Sequence, residues 1–263
     1  MPHTKSSEIS ISYDDRGQGE PALLFTPGWC ATKAAFGRLP EQCSAHRRTL
    51  ALDWRGHADS GAYEKDFGNE GLLDDALAVI SESTASQVIP VALAHSGWIA
   101  IELRRRLANR IPKIVLLNWI VTDPPPAFLA VVKGLQDPQQ WKQMRDRLFS
   151  LWLEGVDNPE AIHFVRDIMG AASGKMWQRS GREIGKAYAE AGNPLRALAA
   201  LTPHLPVLHL CQLPADSPAW TQQEEFARSH PWFEPRRLNA HGHFAPLEIP
   251  GEMARLIEAF VAR

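Results

Sequence analysis

Two short stretches hold the residues whose types and spacing could do chemistry: VALAHSGW at 91–98 and HGHFAPLE at 241–248. The first runs from an apolar strand into a helix and looks like the sharp turn that presents an attacking serine, usually written G-x-S-x-G. Residues two before and two after the apex of such a turn must be small, because the backbone doubles back on itself. With Ser96 at the apex, the residue two after it is Trp98, which is too large. With Ala94 at the apex, the flanks are Ala92, Ser96 and Gly97, all small. The sterics therefore put a methyl group where a nucleophile would stand, and make Ser96 a packing or helix-start residue. The second stretch offers His241 and His243, between the last strand and the last helix, as a general base. An H-x-H pair could also bind a metal, but no acidic or histidine cluster elsewhere completes a site, so neither metal nor cofactor is expected.

The rest of a reaction centre follows from position. Pro27–Trp29 (PGW) ends an early strand and can supply one main-chain N–H to an oxyanion hole. The other would come from His95, the residue after the apex. Asp53 and His57, around WRGHADSG, read as structural. An acid partner for the base has two candidates at strand ends: Asn118, after PKIVLL, and Asp216, after LPVLHL. An asparagine could orient a histidine ring through its carbonyl oxygen but would not stabilise an imidazolium as a carboxylate does. On that geometry, an aspartate at 118 would make the histidine a stronger base.

These residues need a scaffold that brings strand ends together. Apolar strands alternate with helices: PALLFTPG, RTLALDW, QVIPVAL, PKIVLLNW and LPVLHLC, then a last strand at PRRLNA and an amphipathic closing helix, EMARLIEAFVAR. A helix is expected over AAFGRLPEQC. This order predicts a mostly parallel sheet covered by helices. From 124 to 193 the strand signals vanish and only helical patterns remain. The expected organisation is one α/β-hydrolase core, 1–123 and 194–263, with a helical cap inserted at 124–193.

Composition narrows the partners. The 263 residues carry 28 basic and 30 acidic side chains, a net charge of −2 without long runs of either sign, which leaves no footprint for nucleic acid or an anionic membrane. No apolar run approaches the length of a membrane span, and the first residues lack a signal-peptide pattern. Three widely spaced cysteines suit reduced thiols and a cytoplasmic location. Nine tryptophans point to an aromatic-lined pocket or a large aromatic core, and a homo-oligomer is compatible with everything above.

Taken together, PGWC, WRGH, the x-x-H-x-G-W elbow, the strand end NW, LFSLWLEG, MWQRSGREI, EEFARSHPWF and HF-x-x-LE resemble the cofactor-independent 2,4-dioxygenases of 3-hydroxy-4-oxoquinolines. The resemblance runs from about Ile11 to Ala259. It implies an α/β-hydrolase fold that cleaves an N-heteroaromatic ring with O2, releasing carbon monoxide and leaving an N-acylanthranilate. It further implies that His243 removes the substrate's 3-hydroxyl proton and that Trp29 and His95 line the oxyanion hole. Trp152 would flank the ring from the cap, with Ala94, Trp98 and Trp177 also along the substrate. In that family the apex is usually Ser and the partner of the base usually Asp; here they are Ala94 and Asn118. The electron-rich substrate anion can itself reduce O2, so the reaction needs a base but no nucleophile. Two other readings fit the residues. One is a hydrolase or lyase using His243 with Ser96 or Asp216; the other is a protein that binds an aromatic ligand without turning it over.

Overall fold

A computed structural model describes residues 2–6 and 8–263. Its centre is an eight-stranded sheet: β1 (His3–Ser6), β2 (Ile9–Arg16), β3 (Ala22–Thr26), β4 (Thr49–Leu52), β5 (Val88–Leu93), β6 (Ile114–Leu117), β7 (Val207–Cys211) and β8 (Phe233–Arg237). The spatial order is β1-β2-β4-β3-β5-β6-β7-β8; β2 pairs antiparallel with both β1 and β4, and the pairs from β4·β3 to β7·β8 are parallel. ALLFT of β3 and VIPVAL of β5 are buried throughout, as central strands covered on both faces must be.

Helices α1 (Leu39–Ser44), α2 (Asn69–Glu82) and α3 (Gly97–Leu107) cover the first half of the sheet. Between β6 and β7 every element is helical: α4 (Pro126–Leu135), α5 (Trp141–Trp152), α6 (Pro159–His163), α7 (Gly174–Ala191) and α8 (Pro194–Ala199). The chain closes with α9 (Pro218–Ser229), α10 (Ala245–Glu248) and α11 (Pro250–Val261). Among the described residues no helix is long and apolar enough to cross a membrane.

Two expectations need correction. The helix expected over AAFGRLPEQC is a 3-10 turn, Lys33–Phe36, followed by α1, split at Gly37. Gly37 has φ +48°, and a Cβ there would lie 2.9 Å from Leu247 Cδ2. The last strand begins at Phe233, two residues earlier than PRRLNA suggested, because Phe233 is buried and pairs with Val207. Pro235 is tolerated inside β8 because this is an edge strand.

The turn from β5 into α3 has the register the sterics require. Ala94 carries φ +52° immediately after the strand, and Gly97 opens α3. A Cβ on Gly97 would lie 2.2 Å from the Trp119 ring, so the end of β6 presses directly on the turn. Gly97→Ala should therefore destabilise the protein by about 1–3 kcal/mol, the cost of overpacking a filled core. A wild-type midpoint in chemical denaturation would refute this packing.

Candidate active site

The C-terminal ends of the parallel strands meet a cavity of about 290 Å3 between the sheet and α4–α7. Gly28 and Trp29 follow β3, Ala94 and His95 follow β5, Asn118 and Trp119 follow β6, and His243 follows β8; all of them line this space. Trp152 of α5 and Trp177 of α7 close it from the opposite side. Ligand sites in open α/β sheets form at such strand ends because loops there can change without disturbing the core.

At the elbow, the Ala94 methyl faces the cavity and its backbone packs on the loop after β3: a Cβ on Gly28 would lie 3.5 Å from Leu93 O and 3.7 Å from the Ala94 Cβ. The main-chain N–H groups of Trp29 and His95 thus come from adjoining turns. Neither is spent on another protein group among the described residues. Ser96 points away from the cavity. Its buried hydroxyl lies 2.7 Å from the Thr26 carbonyl and 2.9 Å from that of Leu93, and accepts from Thr26 Oγ1 at 3.2 Å. It ties the elbow to β3 and has no access to a substrate.

The indole of Trp29 donates through Nε1 to Asn69 Oδ1 at 3.2 Å and stacks on Phe67, so it presents the cavity with an apolar face. Asn69, at the start of α2, carried no signal in the sequence that would have linked it to the site. The His95 imidazole stacks on Phe128 of α4, with Tyr188 of α7 edge-on. Burial, aided by the neighbouring His243, pushes its pKa down to about 3, so this ring is neutral at any ordinary pH.

The His243 ring stacks on Trp152 at 5.0 Å with 15° between the planes, and meets Phe244 edge-on. Burial lowers its pKa to about 4. Its ring lines the cavity and makes no hydrogen bond among the described residues, whereas His241 is exposed and outside the cavity.

Asn118 does touch His243, but not its ring. The side chain donates from Nδ2 to the His243 main-chain carbonyl at 2.6 Å and accepts at Oδ1 from the Gln212 N–H at 3.2 Å. This pattern fixes the amide orientation, since the reverse would oppose two oxygens. Asp216 is exposed between β7 and α9 and does not line the cavity. Neither strand-end candidate bonds the imidazole; the Asn118 amide serves the main chain, and a carboxylate in its place could not donate to the His243 carbonyl.

Trp98 also needs correction. It does not line the cavity but packs edge-on, at 5.0 Å, on Trp119, which does.

A methyl-bearing elbow, two free main-chain donors and a histidine after the last strand are the parts of an α/β hydrolase, and residues 23–256 match the alpha/beta hydrolase family. The fold of an enol-lactonase from Burkholderia xenovorans, 18% identical with a TM-score of 0.79 over all of both chains, is the same. Nearer relatives are more specific. The 2-heptyl-3-hydroxy-4(1H)-quinolone dioxygenase of Mycobacteroides abscessus is 34% identical over 249 residues, 94% of this chain and 92% of that protein. The 1H-3-hydroxy-4-oxoquinoline 2,4-dioxygenase of Pseudomonas putida is 30% identical over 253 residues, 95% of this chain and 96% of that one. The structure of AqdC, a variant in complex with its substrate, the Pseudomonas quinolone signal, superposes with a TM-score of 0.93 at 32% identity, covering 98% of each chain. The chain belongs to the family of 3-hydroxy-4-quinolone 2,4-dioxygenases, ring-cleaving enzymes built on the α/β-hydrolase fold.

Two substitutions check this geometry. Ser96→Ala should cost about 1–2 kcal/mol of stability through its lost buried hydrogen bonds while changing turnover by no more than a few-fold; a thousandfold loss would mean that Ser96 reacts. Asn118→Asp should lower turnover at neutral pH by tenfold or more, since it sets an oxygen against the His243 carbonyl. Equal or faster turnover would show that residue 118 serves the ring instead.

Proposed function

We propose that this enzyme cleaves 2-alkyl-3-hydroxy-4-quinolones with O2, with His243 as the base. The observation that carries the reading is a free imidazole and a methyl-topped elbow facing each other across one aromatic cavity. Such a site can take a proton but cannot form an acyl-enzyme.

His243 removes the 3-hydroxyl proton, and the 4-oxo group lies toward the N–H groups of Trp29 and His95. The faces of Trp29, Trp152 and Trp177 hold the bicyclic ring and exclude water. The electron-rich anion reduces O2 directly. The two oxygen atoms add at C2 and C4, the C2–C3 and C3–C4 bonds break, and C3 leaves as carbon monoxide. One oxygen ends in the new acyl carbonyl, the other in the carboxylate of an N-acylanthranilate, so neither metal nor organic cofactor is called for. Helices α4–α7 serve as the cap that closes this space.

Support for an alkyl group comes from the relatives named for 2-heptyl substrates and from the apolar side chains of Leu148, Leu151, Met169 and Ile184 beyond the tryptophans. Leu151 is 57% exposed, which puts an apolar residue at the mouth where a chain would emerge.

The test is O2 uptake with carbon monoxide release on 3-hydroxy-4-quinolones that carry or lack a 2-alkyl chain, in chelator-treated buffer. His243→Ala should lower turnover at neutral pH by about 10²–10⁴-fold, the usual worth of a positioned base. The defect should shrink as pH rises and the substrate ionises unaided. Because burial lowers the His243 pKa, kcat/KM of the intact enzyme should hold level below the ordinary histidine range and fall as pH passes about 4. Carbon monoxide-free turnover, or a His243→Ala variant within threefold of wild type, would sink the reading.

A further inference from the structure

We propose that Glu248 is the positioning residue for His243, doing through the main chain what a triad carboxylate does through the ring. This rests on His243 being the base.

The Glu248 side chain is buried at the end of α10 and points back into the loop before that helix. Its Oε1 accepts the Gly242 N–H at 2.8 Å and its Oε2 the His241 N–H at 3.1 Å. Hydrogen bonds to an ionised acceptor are roughly twice as strong as neutral ones, and two on one carboxylate fix direction as well as distance. The same loop is held from the sheet by Asn118, bonded to the His243 carbonyl, and from α5 by the Trp152 carbonyl, which accepts the His243 N–H at 3.3 Å. Gly242 leaves room for this arrangement: a Cβ there would lie 2.6 Å from Val156 Cγ2, 2.9 Å from Trp152 O and 3.1 Å from Glu248 Oε1. Three consecutive residues are thus clamped from three sides, while among the described residues the imidazole makes no side-chain hydrogen bond and is stacked on Trp152 with Phe244 edge-on. Aromatic stacking holds the plane of a ring but leaves it free to slide. The position of the ring along that plane must come from its backbone, and Glu248 supplies two of the four bonds that fix it.

A residue acting by position should change the rate without changing the basicity of the ring. Glu248→Ala should lower kcat by tenfold or more with KM within twofold, since misplacing a reacting group by about 1 Å costs up to 10². Glu248→Gln keeps one acceptor oxygen, so it should recover part of the loss but stay at least threefold below wild type. In both variants the acid limb of kcat/KM should stay at the wild-type pH while the plateau falls. Wild-type kcat in either variant, a loss confined to KM, or an acid limb displaced by a full pH unit with the plateau intact would each overturn the proposal. Should the alanine variant fail to fold, the glutamine variant alone decides it. His243→Ala, assayed alongside, separates the two claims. Turnover retained there removes the base and the proposal with it; turnover lost there but kept in the Glu248 variants removes the proposal alone.

Discussion

Ala94 holds a left-handed backbone, φ +52°, where a residue with a Cβ is disfavoured by about 1–2 kcal/mol. Everything at the site depends on that turn being kept. It places His95 at the cavity wall, sets the Ala94 methyl at the apex and leads into α3. The forces that keep it are visible around it. Ser96 ties it to β3, Gly97 admits the Trp119 ring, and Gly28 lets the β3 loop approach. In a serine hydrolase the same strain exposes a nucleophile. Here the strain persists without one, so the turn is held by its packing and by the Ser96 hydrogen bonds rather than by a nucleophile.

This explains why the elbow was legible in sequence. Its requirement is steric, and sterics can be read from residue size: Trp98 is impossible two places after an apex and Ser96 is not. The parallel order of the strands was legible for a similar reason, since both faces of β3, β5, β6 and β7 are buried and their composition is almost wholly apolar, Thr26 and His209 excepted. Edges were harder. β8 was misplaced by two residues because a proline looks like a boundary, although at a sheet edge it need not be one. The HTKS segment of β1 shows no alternation that would mark a strand.

The polar contacts of the site were the least legible part. Whether Asn118 meets the ring or the backbone of His243 is a matter of an ångström or two. The direction of its amide depends on Gln212, far away in sequence. Trp98 and Trp177 look equivalent as large aromatics at motif positions, yet one supports the wall and the other lines it. Spacing identifies which strand end a residue occupies, but not which of its neighbours it will bond.

A half-buried imidazole with its pKa pushed down to about 4 is a poor base when judged alone, and that judgement omits its partner. In the proposed reaction, the proton moves from a neutral hydroxyl to a neutral ring, creating an imidazolium and a substrate anion side by side. Opposite charges a few ångströms apart attract far more strongly in a dry cavity than in water, by roughly the ratio of the two effective dielectric constants. The anion therefore offsets part of the burial cost of the imidazolium, and in the proposed reaction His243 is more basic beside such a substrate than it is alone. Water would solvate the anion and hold back its electrons. Four tryptophans, and no carboxylate among the described residues, line the cavity, a lining that in the proposed reaction would keep the anion dry.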